Sequence, residues 1–202
     1  METLRSLGSP AAVKGMERFG IQAADAYGVP APAIRSLSKK IGIDHRLALS
    51  LWETGNHDAR ILAAIIADPE RITVTEMDRW VRSMENWAQC DTCCLEVFRR
   101  SRTALSLPQR WSPSPKEFVR RAGIVMIAAL AVHRKDLSDD EIWSYTPLLL
   151  ECADDDRNFV KKSVNWALRQ IGKRNERLRQ RAVGLAAEIQ ARPSRSARWI
   201  AA

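Results

Sequence analysis

Strand signals are nearly absent from this chain of 202 residues. β-branched residues do not alternate with polar ones, whereas apolar residues recur three and four apart along most of the chain, which argues against a sheet-built core and predicts helix after helix. Acidic residues are in deficit: 24 Asp and Glu stand against 32 Lys and Arg, a net charge of +8. The long-range field therefore attracts polyanions and makes nucleic acid the first partner to consider, although a basic protein without such a partner has the same balance. Sulfur and imidazole are sparse, with four Cys and three His. Cys90 and Cys93 form a C-x-x-C pair and Cys94 and Cys152 complete the set, but His45, His57 and His133 are scattered. No metal site and reduced thiols are therefore expected. The longest apolar run, Gly123 to Val132, is too short to span a bilayer. The opening METLRSLGSPAAVKG has no basic end followed by a long apolar core, so a cytoplasmic location and no membrane partner are expected.

What is present suits one domain over residues 1–202: 46% hydrophobic and 28% charged residues, enough to bury a core of its own. The periodicity predicts helices at Ser9 to Ala26, Pro32 to Ile41, Asp44 to Glu53, His57 to Ala67, Thr75 to Met84 and Trp87 to Arg102. Further helices are expected at Pro115 to His133, Asp139 to Ala153, Asp156 to Ile171, Asn175 to Ala191 and in a short terminal piece. Breaks fall at Gly28 with Pro30, Gly42, Gly55 with Asn56, Pro69, the Pro108 to Pro115 stretch, Gly172 and Pro193.

The chain also repeats itself. FVRRAGIVMIAAL from Phe118 echoes FVKKSVNWALRQI from Phe159, an offset of 159 − 118 = 41 residues, within the period of helical-hairpin repeats. DARILAAIIAD from Asp58 and RLRQRAVGLAAEI from Arg177 are weaker relatives, each placing a basic residue (Arg60 in the first) before a small apolar face. Two amphipathic basic helices can also match by chance. Stacked repeats of this kind build a solenoid with a concave surface.

In SMENWAQCDTCCLEVF, Trp87 and Asp91 are four apart, so a helix would carry indole and carboxylate on one face. On these residues alone the pair also reads as a core indole with a helix-terminal carboxylate. Arg120 and Arg121 stand where the second repeat has Lys161 and Lys162, and Trp166 follows Lys162 by one turn. Such a row would neutralise phosphates along a duplex, while each cation singly is compatible with simple solvation. Trp52, Trp80, Trp111, Trp143 and Trp199 are assigned to packing.

The ordered segments GVPAPAIRSLSKKIG, LALSLWETGNHDARILAA, NWAQCDTCC, FVRRAGIVMIA and FVKKSVNWALRQIGK resemble the AlkD-type DNA alkylation repair glycosylases over nearly the whole chain. The resemblance implies an all-α, HEAT-like repeat solenoid with a concave basic groove. It implies a monomeric, cofactor-free enzyme that removes cationic N3- or N7-alkylated purines from double-stranded DNA and is nucleoid-associated when bound. Trp87, Asp91 and Trp166 match the family's active-site trio and Arg121 its phosphate-contacting arginine, with Arg120, Lys161, Lys162 and Arg60 expected as further DNA contacts. A cationic purine leaves as a neutral base, so demand shifts to the sugar, where a carboxylate and indole faces favour oxocarbenium charge. Compared with typical members, the N-terminus is expected to lack a leading helix and the chain to end soon after Trp199. A non-catalytic DNA-structure binder is the alternative, and a protein scaffold the third reading, against which the basic row argues.

Overall fold

The structure, a computed structural model, describes residues 1–21 and 25–202 and divides into two compact units, Met1–Arg102 and Thr103–Ala202. Among the described residues there is no strand, and no helix is long and apolar enough to cross a membrane.

The first unit contains α1 (Glu2–Leu7), α2 (Pro10–Glu17), α3 (Ala31–Ile41), α4 (His45–Glu53), α5 (His57–Ile66), α6 (Val74–Arg82) and α7 (Trp87–Glu96), then a 3-10 turn at Phe98–Arg100. Most helix starts follow from one side chain each. Asp44 accepts from the Leu47 amide (2.9 Å), Asn56 from Ala59 (3.1 Å) and Asn86 from Gln89 (3.1 Å), while Thr73 and Glu76 close a capping box. The core of this unit is aromatic. Trp52 of α4 stacks on Trp80 of α6 with ring centroids 4.3 Å apart and planes 6° from parallel, and Phe98 lies 6.3 Å from Trp80. The expected helix from Ser9 is shorter than its periodicity suggests: α2 ends at Glu17 and Gly20 follows at φ 70°. Its portion at residues 22–24 lies outside the described residues, and α1 precedes it at a place where the periodicity announces nothing.

The second unit opens with a 3-10 turn at Ala104–Ser106, followed by α8 (Leu107–Trp111), α9 (Glu117–His133), α10 (Asp139–Trp143), α11 (Thr146–Cys152), α12 (Asn158–Gly172), α13 (Glu176–Gln190) and α14 (Arg195–Ala201). Helix α9 is its centre: every residue from Arg121 to Ala131 is buried, with α8 and α12 packed on it. The 41-residue echo is structural, because Phe118 and Phe159 meet with ring centroids 5.7 Å apart where α9 and α12 begin. Gly123 is there for space. A Cβ on it would lie 2.4 Å from the Ser112 nitrogen, so α8 and α9 approach closely only over a residue without a side chain.

Two departures have a common cause in proline. The expected helix Asp139 to Ala153 is split into α10 and α11 because Pro147 offers no N–H to the Trp143 carbonyl; the Thr146 hydroxyl donates there instead, at 2.8 Å. Conversely, the Pro108 to Pro115 stretch, expected as a break, begins inside α8, since Pro108 sits in a first turn where its missing N–H has no helical partner to lose.

Candidate nucleic-acid interface

In the first unit α7 presents Trp87 and Asp91. Cys90, Cys93 and Cys94 are fully buried, forming the stripe that α7 turns toward α5, and Trp87 and Asp91 lie half-buried along its edge. Burial pushes the Cys93 and Cys94 thiols well above their usual range, with Asp91 adding to the effect on Cys94. They therefore remain protonated and apolar in character, which suits packing better than the redox chemistry a C-x-x-C pair suggests. Among the described residues no group of three or more His, Cys, Asp or Glu side chains is placed to hold a metal.

The start of α5 fixes this helix in place. The buried Asp58 carboxylate accepts from the backbone amides of Tyr27 (2.7 Å), Gly28 (3.1 Å) and Val29 (2.9 Å). Gly28 can turn there because it adopts φ +73°, and a Cβ would meet the Ser9 carbonyl at 2.5 Å. The neighbouring His57 reaches α7: its Nδ1 lies 3.3 Å from Asn86 Nδ2 and 3.5 Å from Gln89 Nε2. Asn86 uses its oxygen to cap α7, so its amide nitrogen is the donor and His57 Nδ1 the acceptor. Burial depresses the His57 pKa below its usual 6.5, in keeping with a neutral ring. Trp87 itself is tied by Nε1–H donation to the Phe19 carbonyl at 2.9 Å. Asn56, His57, Asp58 and Asn86 thus position the indole and carboxylate. Gly55 with Asn56 is legible as a helix start, but no spacing in the chain announces the long-range bonds that follow it.

In the second unit α12 carries Asn158, Lys162, Asn165, Trp166 and Arg169 at helical spacing on its outer side, with Lys173 following as its C-cap, all exposed or half-buried. Lys161 leaves this row and places Nζ 5.4 Å from the centroid of Trp199, which is 45% exposed, not packed as expected. The arginines behave differently from the lysines. Arg121, which the resemblance casts as a phosphate contact, is buried and donates to the Phe159 carbonyl at the start of α12. Arg120 pairs with Asp155 at 2.7 Å and donates to the Ser114 carbonyl. In the first unit Arg60, also expected to contact DNA, is turned inward: it lies over Trp52 and donates to the Ser83 and Trp52 carbonyls, joining the ends of α6 and α4. The basic residue of a DAR segment here serves packing.

A family of DNA alkylation repair enzymes matches residues 1–198 of this chain. The protein belongs to that family. An uncharacterized protein of Listeria innocua is 21% identical to this alkylation repair family member over 190 residues, covering 92% of this chain and 83% of its own length. A second, from Listeria monocytogenes, is 23% identical over 124 residues, covering 59% of this chain and 55% of its own length. A solved structure from a new family of proteins related to the HEAT-like repeat DNA glycosylases, with affinity for branched DNA structures, matches with TM-score 0.83 and 26% identity, over 93% of this chain and 80% of that one. The fold of this DNA alkylation repair family member is accordingly an all-α HEAT-like repeat. The match spans both units, and in each the alkylation repair protein carries an indole and an ionisable side chain four residues apart on one helix: Trp87 with Asp91 on α7, and Lys162 with Trp166 on α12.

Proposed function

We propose that the protein is a monofunctional DNA glycosylase that hydrolyses the N-glycosidic bond of N3- or N7-alkylated purines in double-stranded DNA. The observation that carries this reading is the half-buried Asp91 beside the half-buried Trp87 on the edge of α7. A carboxylate facing DNA repels phosphate, a cost that binding does not repay and stabilisation of a cationic sugar does. Asp91 stabilises the oxocarbenium charge and orients the attacking water, and the indole of Trp87 favours cationic character beside it. The leaving purine is already cationic, so no general acid is needed. Lys161 and Lys162 bind phosphate, while Arg120 and Arg121 set the first turn of α12 from which those lysines project. No cofactor takes part, and the enzyme acts as a cytoplasmic, nucleoid-bound monomer.

The second reading is a DNA-structure binder without base release, favoured by the similar solved structure with affinity for branched DNA. Free base released from duplexes containing N7-methylguanine or N3-methyladenine separates the two. Under the first reading the wild type releases base and Asp91→Asn loses roughly 100-fold or more of the rate, with binding retained or improved. Salt-sensitive binding to branched DNA without release would establish the second.

A further inference from the structure

Helices α12 and α14 pack together, with Asn165 of α12 donating to the Ile200 carbonyl of α14 at 2.7 Å. Neither helix contains an acidic side chain, although the flanking segments carry Asp154, Asp155, Asp156, Glu176 and Glu188. In place of acids the pair bears Lys161, Lys162 and Arg169 from α12 and the exposed Arg195 and Arg198 from α14. Two indoles stand among these cations, the half-buried Trp166 and the 45% exposed Trp199. An exposed indole on a seven-residue helix is an unfavourable way to cover a core, and Lys161 places its ammonium over one face of that ring. A separate groove of about 450 Å³ runs between α12 and α13 and reaches α14 only at Ile200 and Ala201, so neither indole lines it.

Cations that follow a backbone and an aromatic face that accepts any base are what an unpaired nucleic-acid strand requires. A duplex buries its base faces inside the stack, so an indole can stack on a base only where the strand is unpaired. We propose that the α12–α14 junction binds an unpaired DNA strand, with Trp199 stacking on a base and Lys161, Arg195 and Arg198 contacting the adjoining phosphates. This rests on the DNA-binding part of the function proposed above and adds a second element, α14, that distinguishes a fork or frayed end from a closed duplex.

The test is fluorescence anisotropy with the full chain, using a labelled forked duplex with an oligothymidine arm and a blunt duplex of the same paired sequence. Trp199→Leu keeps apolar bulk and removes the π-face; it weakens fork binding about 10-fold, the order of one base–aromatic stack, and changes blunt-duplex binding less than about twofold. Trp199→Phe restores most of the fork affinity. Arg195→Gln with Arg198→Gln lowers the salt slope on the oligothymidine arm by about 0.7 for each phosphate that is no longer neutralised. Thermal melts of each variant establish that it is folded. Wild-type-like fork binding by Trp199→Leu, an equal loss on blunt duplex, or no preference of the wild type for the fork overturns the proposal. None of these results bears on release of methylated purines. Conversely, a wild type that binds forks as described and releases no base refutes the glycosylase and leaves the strand site standing.

Discussion

A single carboxylate, Asp58, accepts three successive backbone amides, of which those of Gly28 and Val29 would otherwise be buried donors without partners. Removing it as Asp58→Ala leaves all three to be resolvated, so denaturant unfolding is expected to show a loss of about 3 kcal/mol or more. Its neighbour His57 imposes a pH dependence. The ring is neutral in the fold and its pKa lies below the usual 6.5, so the unfolded chain takes up the proton first as pH falls. The stabilising contribution is complete above that value and declines as pH drops from about 6.5 toward the lower folded pKa. Unfolding free energy measured between pH 7.5 and 5.5 should fall more for the wild type than for His57→Gln; parallel curves would assign the decline to other groups. These same residues mark what the sequence does not disclose. GNHDAR is legible as a helix opening because Asn caps are local, but Asp58 finds its partners about 30 residues away, and a chain pattern carries no trace of such distances.

Helix type and order are legible in the sequence for most of the chain because apolar spacing and caps are short-range: α3 to α7 and α9 begin within two residues of their expected starts. Where expectation and structure part, local and tertiary demands diverge. Pro147 splits α10 from α11 through a missing donor, and α1, only six residues long, is too short for periodicity to register. The Trp87 and Asp91 pair is legible at helical spacing, and α7 keeps both accessible because its thiols take the inner stripe. Close approach of α8 to α9 depends on Gly123. Gly123→Ala would press a methyl group into the Ser112 backbone at 2.4 Å, and because backbone cannot swing aside as a side chain does, a loss of about 2–3 kcal/mol is expected in thermal or denaturant unfolding. Gly184, with nothing within 4 Å of an added Cβ, is the control, and Gly184→Ala in mid-helix should stabilise slightly.

The net charge of +8 points to nucleic acid, yet much of the cationic complement serves the fold. Arg174 donates to the Ala131 and Arg134 carbonyls at the end of α9 and to that of Leu137 in the turn beyond it, Arg192 to Leu150 at the end of α11, and Arg60 to the ends of α4 and α6. Helix C-termini present unpaired carbonyls and partial negative charge, and a planar guanidinium can join several of them at once. Lysine is a poor substitute for that fork, which is why the inward cations are arginines while Lys162 on α12 and Lys173 at its C-cap remain exposed. Charge and phosphate contact should therefore separate by residue. Arg174→Gln should cost about 3 kcal/mol in unfolding experiments, since several carbonyls lose a charged donor, and leave the dependence of duplex affinity on salt unchanged. Lys162→Gln should do the reverse, with an unaltered melting curve and a slope of log K against log salt reduced by about 0.9, one phosphate's share. If Arg174→Gln reduced the slope as Lys162→Gln does, the guanidinium would be releasing its carbonyls to reach DNA, and the division of the cations between fold and phosphate would have to be redrawn.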